Sequence, residues 1–150
     1  MLRYMLDTNL CIRVLRDRPA GLRERFNAEA ANLCISTVTL AELLVGAEKS
    51  SRPIEIRQQV EAFAARLDVL SFDSHAAAHY ADIRADLERK GQTIGPYDLM
   101  IAGHARSRGL MVITGNLDEF NRVAGLRAED WLAALTPPAG RPRRDRRRGT

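Results

Sequence analysis

At 150 residues the chain has the length of one domain, long enough to bury a core without disulfide or metal staples. Charged residues make up 28% and apolar types 45%, and no apolar run approaches the roughly 20 residues of a bilayer span, which excludes a chain of transmembrane helices. The net charge of +4 is lopsided: six arginines against Asp145 give the segment from Pro137 onward +5 and leave −1 on the other 136 residues, so the basic balance is no mark of a nucleic-acid-binding body.

The opening Met1–Asp7 is too short and too soon charged for a secretion signal, so the expected compartment is the cytoplasm. Leu2 to Leu6 reads as a first strand, and Asp7-Thr8-Asn9 as the cap of a helix carrying Leu10, Val14 and Leu15. Pro19 is expected to open a short helix with Leu22 and Phe26 on one face. Leu33-Cys34-Ile35 is a short buried strand, and the helix after it carries Val38, Leu40, Leu43 and Leu44. Pro53 begins a longer helix with Ile56, Val60, Phe63 and Leu67 on one stripe. Val69-Leu70 is strand-like, Asp73 or Ser74 caps a helix with Tyr80, Ile83 and Leu87, and Gly91 ends it. Gly95-Pro96 opens a helix with Tyr97, Ile101 and Ala105 that Gly109 closes. Leu110 to Ile113 is a continuous apolar strand, the pattern of a sheet covered on both faces, and a short turn is expected after it. Thr136 to Thr150, rich in Pro, Gly and Arg, has no large apolar side chain to offset its ordering entropy, so a domain over residues 1–135 and a disordered tail over 136–150 are expected.

Alternating strands and helices with buried strands predict a parallel α/β sandwich, in which function gathers outside the carboxyl ends of the strands. Acidic residues fall at those places: Asp7 after the first strand, Glu42 within two turns of the second, Asp98 in the first turn after Pro96, and Asn116, Asp118 and Glu119 after the last clear strand. Singly, each has a plain structural use, as cap, first-turn acid or solvated face. Together, carboxylates that converge repel one another, and no Lys or Arg stands beside them in sequence to relieve the repulsion. A divalent cation is their natural counter-charge, and an all-oxygen ligand set favours Mg²⁺ or Mn²⁺ over zinc.

Other groupings carry less. His75 and His79 are four apart but lack the glutamate of a zinc-protease helix, and His104 has an ordinary structural use. Cys11 and Cys34 are far apart among apolar neighbours, as buried free thiols are. Gly46 to Ser50 lacks the glycines of a phosphate loop, and there is no dinucleotide fingerprint and no Gly-x-Ser-x-Gly elbow.

Four segments resemble the PIN-domain ribonuclease toxins of the VapC type: Met5-Leu6-Asp7-Thr8-Asn9, Ser36 through Leu43, Gly95 through Ala105, and Val112 through Phe120. They stand in the family's order, and the resemblance extends to Arg122 through Leu126 and Asp130-Trp131. It implies a PIN-like α/β sandwich with a central, mostly parallel sheet of about four or five strands flanked by helices. It further implies an endoribonuclease that acts as toxin in a type II toxin–antitoxin pair and cleaves transfer RNA or another structured RNA. The implied cofactor is Mg²⁺, with Mn²⁺ able to substitute. The implied partners are a cognate VapB-type antitoxin and a second copy of the chain.

By this resemblance Asp7, Glu42 and Asp98 occupy the three core acidic positions, and Glu119 supplies the fourth, with Asn116 contributing its side-chain oxygen. Thr8, Asn9 and Thr114 are expected to orient carboxylates or water, and metal-activated water to attack the phosphodiester. Two readings from other classes stand beside it: a phosphohydrolase or phospho-acceptor with Asp7 as nucleophile, and a binding module without catalysis.

Overall fold

A computed structural model describes residues 1–133 and 135, so the expected tail over 136–150 lies outside the described residues. Five strands form one sheet in the order β3-β2-β1-β4-β5, and every pairing is parallel. The strands are β1 (Tyr4–Leu6), β2 (Leu33–Ser36), β3 (Asp68–Leu70), β4 (Met111–Ile113) and β5 (Ala128–Glu129). Among the described residues seven α-helices flank them: α1 (Thr8–Arg16), α2 (Leu22–Glu29), α3 (Thr37–Glu48), α4 (Pro53–Ala64), α5 (Ser74–Lys90), α6 (Pro96–Ser107) and α7 (Leu117–Phe120).

Side chains alternate across the central strands and so feed two cores. Met5, Cys34 and Val112 pack with Ile83, Leu87, Ile101, Ala105 and Phe120, mainly from α5 and α6. Leu6, Leu33, Ile35 and Ile113 face the other way, onto Leu10, Val14, Phe26, Leu43 and Phe63 from α1 to α4. Both faces are covered, so β1, β2 and β4 need apolar residues at nearly every position.

Three details differ from the sequence expectations. Pro19 does not open α2, which starts at Leu22 after Gly21, whose φ of 93° only a glycine adopts without strain. The segment after β4 is not a bare turn but the one-turn helix α7. The last strand, β5, is held to β4 by the Val112 amide on Arg127 O at 2.9 Å and the Thr114 amide on Glu129 O at 3.0 Å.

The topology fixes where a site can form. The chain lays β1, β2 and β3 outward in one direction, then crosses back to place β4 and β5 on the other side of β1. The strand order reverses between β1 and β4, and the crevice beyond their carboxyl ends is where such sheets bind ligands.

Candidate active site

Parallel register carries Leu6 opposite Ile113, so the next residues, Asp7 and Thr114, meet across that crevice. Asp7 caps α1: its Oδ1 accepts from the Leu10 amide at 2.8 Å. Its Oδ2 accepts from the Thr114 hydroxyl at 2.5 Å, and the same hydroxyl oxygen accepts from the Asn116 amide at 2.8 Å. Asp7 is 1% exposed, and burial pushes its carboxyl above the usual range. The hydrogen bonds from Thr114 and Leu10 and the charge of Arg13 pull in the other direction, while the Glu42 charge adds to the rise.

Glu42 arrives from α3, which Ser36 starts by accepting the Val38 amide at 3.1 Å. The Thr8 hydroxyl donates to Glu42 Oε1 at 2.7 Å and lies 3.3 Å from the Thr39 hydroxyl, tying α1 to α3. Asp98 sits in the first turn of α6, after Gly95-Pro96. Its carboxyl is pushed up to about 7, first by burial, then by a hydrogen bond shared with the Glu119 carboxyl, then by the charges of Asp7, Glu119 and Glu42. Glu119 comes from α7.

Asn116 is partly buried at the start of α7, and its backbone amide is the group bound to Thr114. Asn9 lies exposed on α1, and its side chain makes no hydrogen bond to a carboxylate among the described residues. Sequence reasoning did not single out Thr39, Ser36 or Arg13. No sequence spacing signals them, because Thr39 and Ser36 act through contacts with α1 and α6, and Arg13 through its charge on Asp7.

His104 is 1% exposed, away from the carboxylates. Its Nδ1 meets Ser36 Oγ at 2.8 Å, the Phe72 ring stands edge-on to it, and burial lowers its pKa. Its use is to join α6 to the start of α3, the two helices that carry Asp98 and Glu42. His79 accepts a hydrogen bond from Arg106 at 2.8 Å, and both cysteines are buried free thiols.

Among the described residues no Lys or Arg forms an ion pair with Asp7, Glu42, Asp98 or Glu119. Nor are three acidic, His or Cys side chains gathered tightly enough there to form a finished metal cage. What is present is a loose, all-oxygen group with surplus negative charge, in which burial and the neighbouring Glu119, Asp7 and Glu42 carboxylates push the Asp98 carboxyl up. That donor chemistry fits a hard divalent cation, whose arrival would draw the carboxylates in.

Comparison with known proteins shows the family. The family model described as PIN domain matches residues 4–126. The chain belongs to the PIN-domain family, in its VapC branch. It is 55% identical over 131 residues to the tRNA(fMet)-specific endonuclease VapC of Shigella flexneri, covering 87% of this chain and 99% of that one. It is 46% identical over 132 residues to ribonuclease VapC2 of Haemophilus influenzae, covering 88% and 100%. The DNA-bound VapBC structure from Salmonella typhimurium matches with a TM-score of 0.84 at 55% identity, covering 87% of this chain and 99% of that one. PIN-domain nucleases generally use divalent metals. No described helix is long and apolar enough to cross a membrane.

Proposed function

We infer that this VapC-type chain is the toxin of a type II toxin–antitoxin pair and a Mg²⁺-dependent endoribonuclease, with Mn²⁺ able to substitute. The observation that carries the reading is the carboxylate group at the β1/β4 crevice, which has no ion pair to Lys or Arg among the described residues. Asp7 and Asp98 would hold the cation directly, and Glu42, Glu119 and the Asn116 side-chain oxygen would complete the shell, partly through water. When bound, such a cation offsets the carboxylates and makes water a stronger nucleophile toward phosphorus.

The chain's own residues prepare for that task. Thr114 fixes Asp7 from one side and the start of α1 from the other, so this carboxylate has one orientation. Thr8 does the same for Glu42. Asp98, whose carboxyl is pushed up by burial and by its acidic neighbours, would ionise more readily beside a bound cation, so the site would respond to the ion. Asn9 stands beside the group, where it can meet water or substrate.

The relatives' names support an RNA substrate, and the 55% identity to a tRNA(fMet)-specific endonuclease supports transfer RNA. The VapBC complex supports a VapB-type antitoxin as partner. We further propose a homodimer acting in the cytoplasm. Asp7 is poorly suited as a phospho-acceptor, since it is 1% exposed and each of its oxygens accepts a hydrogen bond.

The test is cleavage of a mixed RNA pool by wild type and Asp98→Asn in Mg²⁺, Mn²⁺ or EDTA. Cutting at discrete sites by metal-loaded wild type alone is expected. Equal behaviour of the two proteins would overturn the reading and leave a binding module in its place.

A further inference from the structure

Beside the carboxylates lies a second charged feature that the metal chemistry leaves unused. A cleft of about 560 Å³ is lined by Asn9, Ile12, Arg13, Arg16, Arg18 and Asn116, with Gly115 at its edge. Asn9, Arg13 and Arg16 step by four and three residues and so share one face of α1. Asp17, left-handed at φ 49°, ends the helix and turns the chain, and Arg18 joins the same cleft.

All three arginines are exposed, and none has an ion pair or side-chain hydrogen bond among the described residues. Several other arginines are paired, Arg57 with Glu48 and Glu61, Arg84 with Glu88 and Arg106 with Asp82, so what sets these three apart is that they line one cleft without a partner. The helix dipole favours Arg13 and Arg16 in the last turn of α1, but it gives no reason for Arg18, which lies beyond the cap. Three like charges around one concavity repel one another, and an anion in the cleft would relieve them.

We propose that this cleft seats the phosphates of the substrate RNA next to the scissile linkage. The inference rests on the ribonuclease reading above. The cleft is continuous with the carboxylate group: Asn116 lines it and donates its amide to the hydroxyl that holds Asp7, and Asn9 follows the threonine that holds Glu42. The charge of Arg13 also reaches Asp7. A nucleic acid that puts one phosphate at the carboxylates must lay its neighbours over the adjoining surface, and this is the adjoining cationic surface. The planar guanidinium binds phosphate oxygens in pairs, and the two asparagine amides can meet sugar or base edges. An acidic segment of a protein partner would match the charge but not the continuity with a phosphodiester-cleaving site.

The test uses the full-length chain in an Asp98→Asn background, so that RNA is bound but not cut, with labelled bulk transfer RNA as probe. The variant is Arg16→Ala with Arg18→Ala, and Arg57→Ala is the control. Thermal melting confirms that each folds, as expected for exposed positions. Removing two phosphate contacts should weaken binding roughly tenfold or more in low salt and make the plot of log affinity against log salt shallower by about 1.4–1.8. In the cleavage-competent chain the same pair should raise KM with little change in kcat. Affinity and slope equal to the control would overturn the proposal, as would loss of antitoxin binding with RNA binding intact. If the competent parent cuts no RNA with Mg²⁺, the ribonuclease reading itself fails. If it cuts and the arginine variants match it, only the cleft assignment falls.

Discussion

Replacing Asp98 by Asn should make the metal-free protein more stable while removing its activity. In the folded chain the Asp98 carboxyl is pushed from 3.8 to about 7. A group whose folded pKa is raised holds its proton more tightly when folded, so ionising it works against the fold. Its penalty is absent below pH ~4, grows as pH rises, and is complete above pH ~7. Taken at face value the shift corresponds to ~4 kcal/mol. The carboxyl is only partly buried, so solvent screening leaves about 1–2 kcal/mol. An asparagine is neutral throughout, and its amide can still donate to Glu119. Urea or thermal denaturation in EDTA between pH 4.5 and 8 measures the difference. The two proteins should be nearly equal at the acid end, and the variant should lead at pH 8 by about 1–2 kcal/mol, a few degrees in Tm. Added Mg²⁺ should then stabilise wild type but not the variant. A variant less stable than wild type at pH 8, or a gap that does not change with pH, would refute the account of Asp98 as a strained acid.

Thr114→Val leaves Asp7 Oδ2 and the Asn116 amide without their partner at a fully buried position. It should cost about 1–3 kcal/mol and cut metal affinity roughly 10–100-fold, with Thr114→Ser restoring both in melting and cleavage assays. Gly103→Ala would place its methyl 2.7 Å from Tyr80 N and 2.8 Å from its Cα, both backbone atoms of α5. The helices must part, so overpacking of about 1–3 kcal/mol should exceed the ~1 kcal/mol gained in helix propensity, seen as a lower Tm with the active site chemically unchanged. Ser36→Ala removes both the cap of α3 and the partner of His104, and should lower stability by about 1–3 kcal/mol in denaturant titration. Unchanged stability would mean that His104 finds another partner.

Burial decided which elements could be read from sequence. The strands Leu33–Ile35 and Leu110–Ile113 stand out because both faces of the sheet are covered, which forces apolar residues at successive positions. The strand β5 has two residues, Ala128 and Glu129, both partly buried at the sheet edge, and only backbone hydrogen bonds define it. A four-residue helix such as α7 is too short to show a period. Pro19 misleads because its fixed φ suits a first helical turn, yet Gly21 at φ 93° bends the chain before α2 begins. The acids could be singled out at strand ends, but the contact between Asp7 and Thr114 joins residues 107 apart and depends on the β1/β4 register. The arginine cleft was hidden by the opposite effect: a body with a net charge of −1 still concentrates Arg13, Arg16 and Arg18 on one edge. Net charge averages over surfaces that a ligand meets one at a time.

The four acids are not equivalent, and the fold treats them differently for a physical reason. Asp7 is the most deeply buried, which would be the costliest place for a carboxylate, but it is also the only one whose oxygens meet a helix start and a fixed hydroxyl. Those donors come from α1 and from the end of β4, so the same hydrogen bonds that make Asp7 tolerable also close the crevice between β1 and β4. Glu42 receives a single donor, Thr8, and thereby ties α3 to α1. The Asp98 carboxyl is pushed up by burial, then by a hydrogen bond with Glu119 and by the charges of its acidic neighbours. The Asp7 end of the group is therefore held by fixed donors, whereas Asp98, on α6, keeps a carboxyl pushed up by its acidic neighbours. An ion entering there relieves a strain that the fold has left in place, so its binding energy need not be spent on rearranging Asp7. Beside Asp7, Arg13 and Arg16 of α1 and Arg18 just after it present the opposite charge. One edge of the sheet thus carries both the carboxylate group proposed to hold a cation and the arginines proposed to meet phosphates.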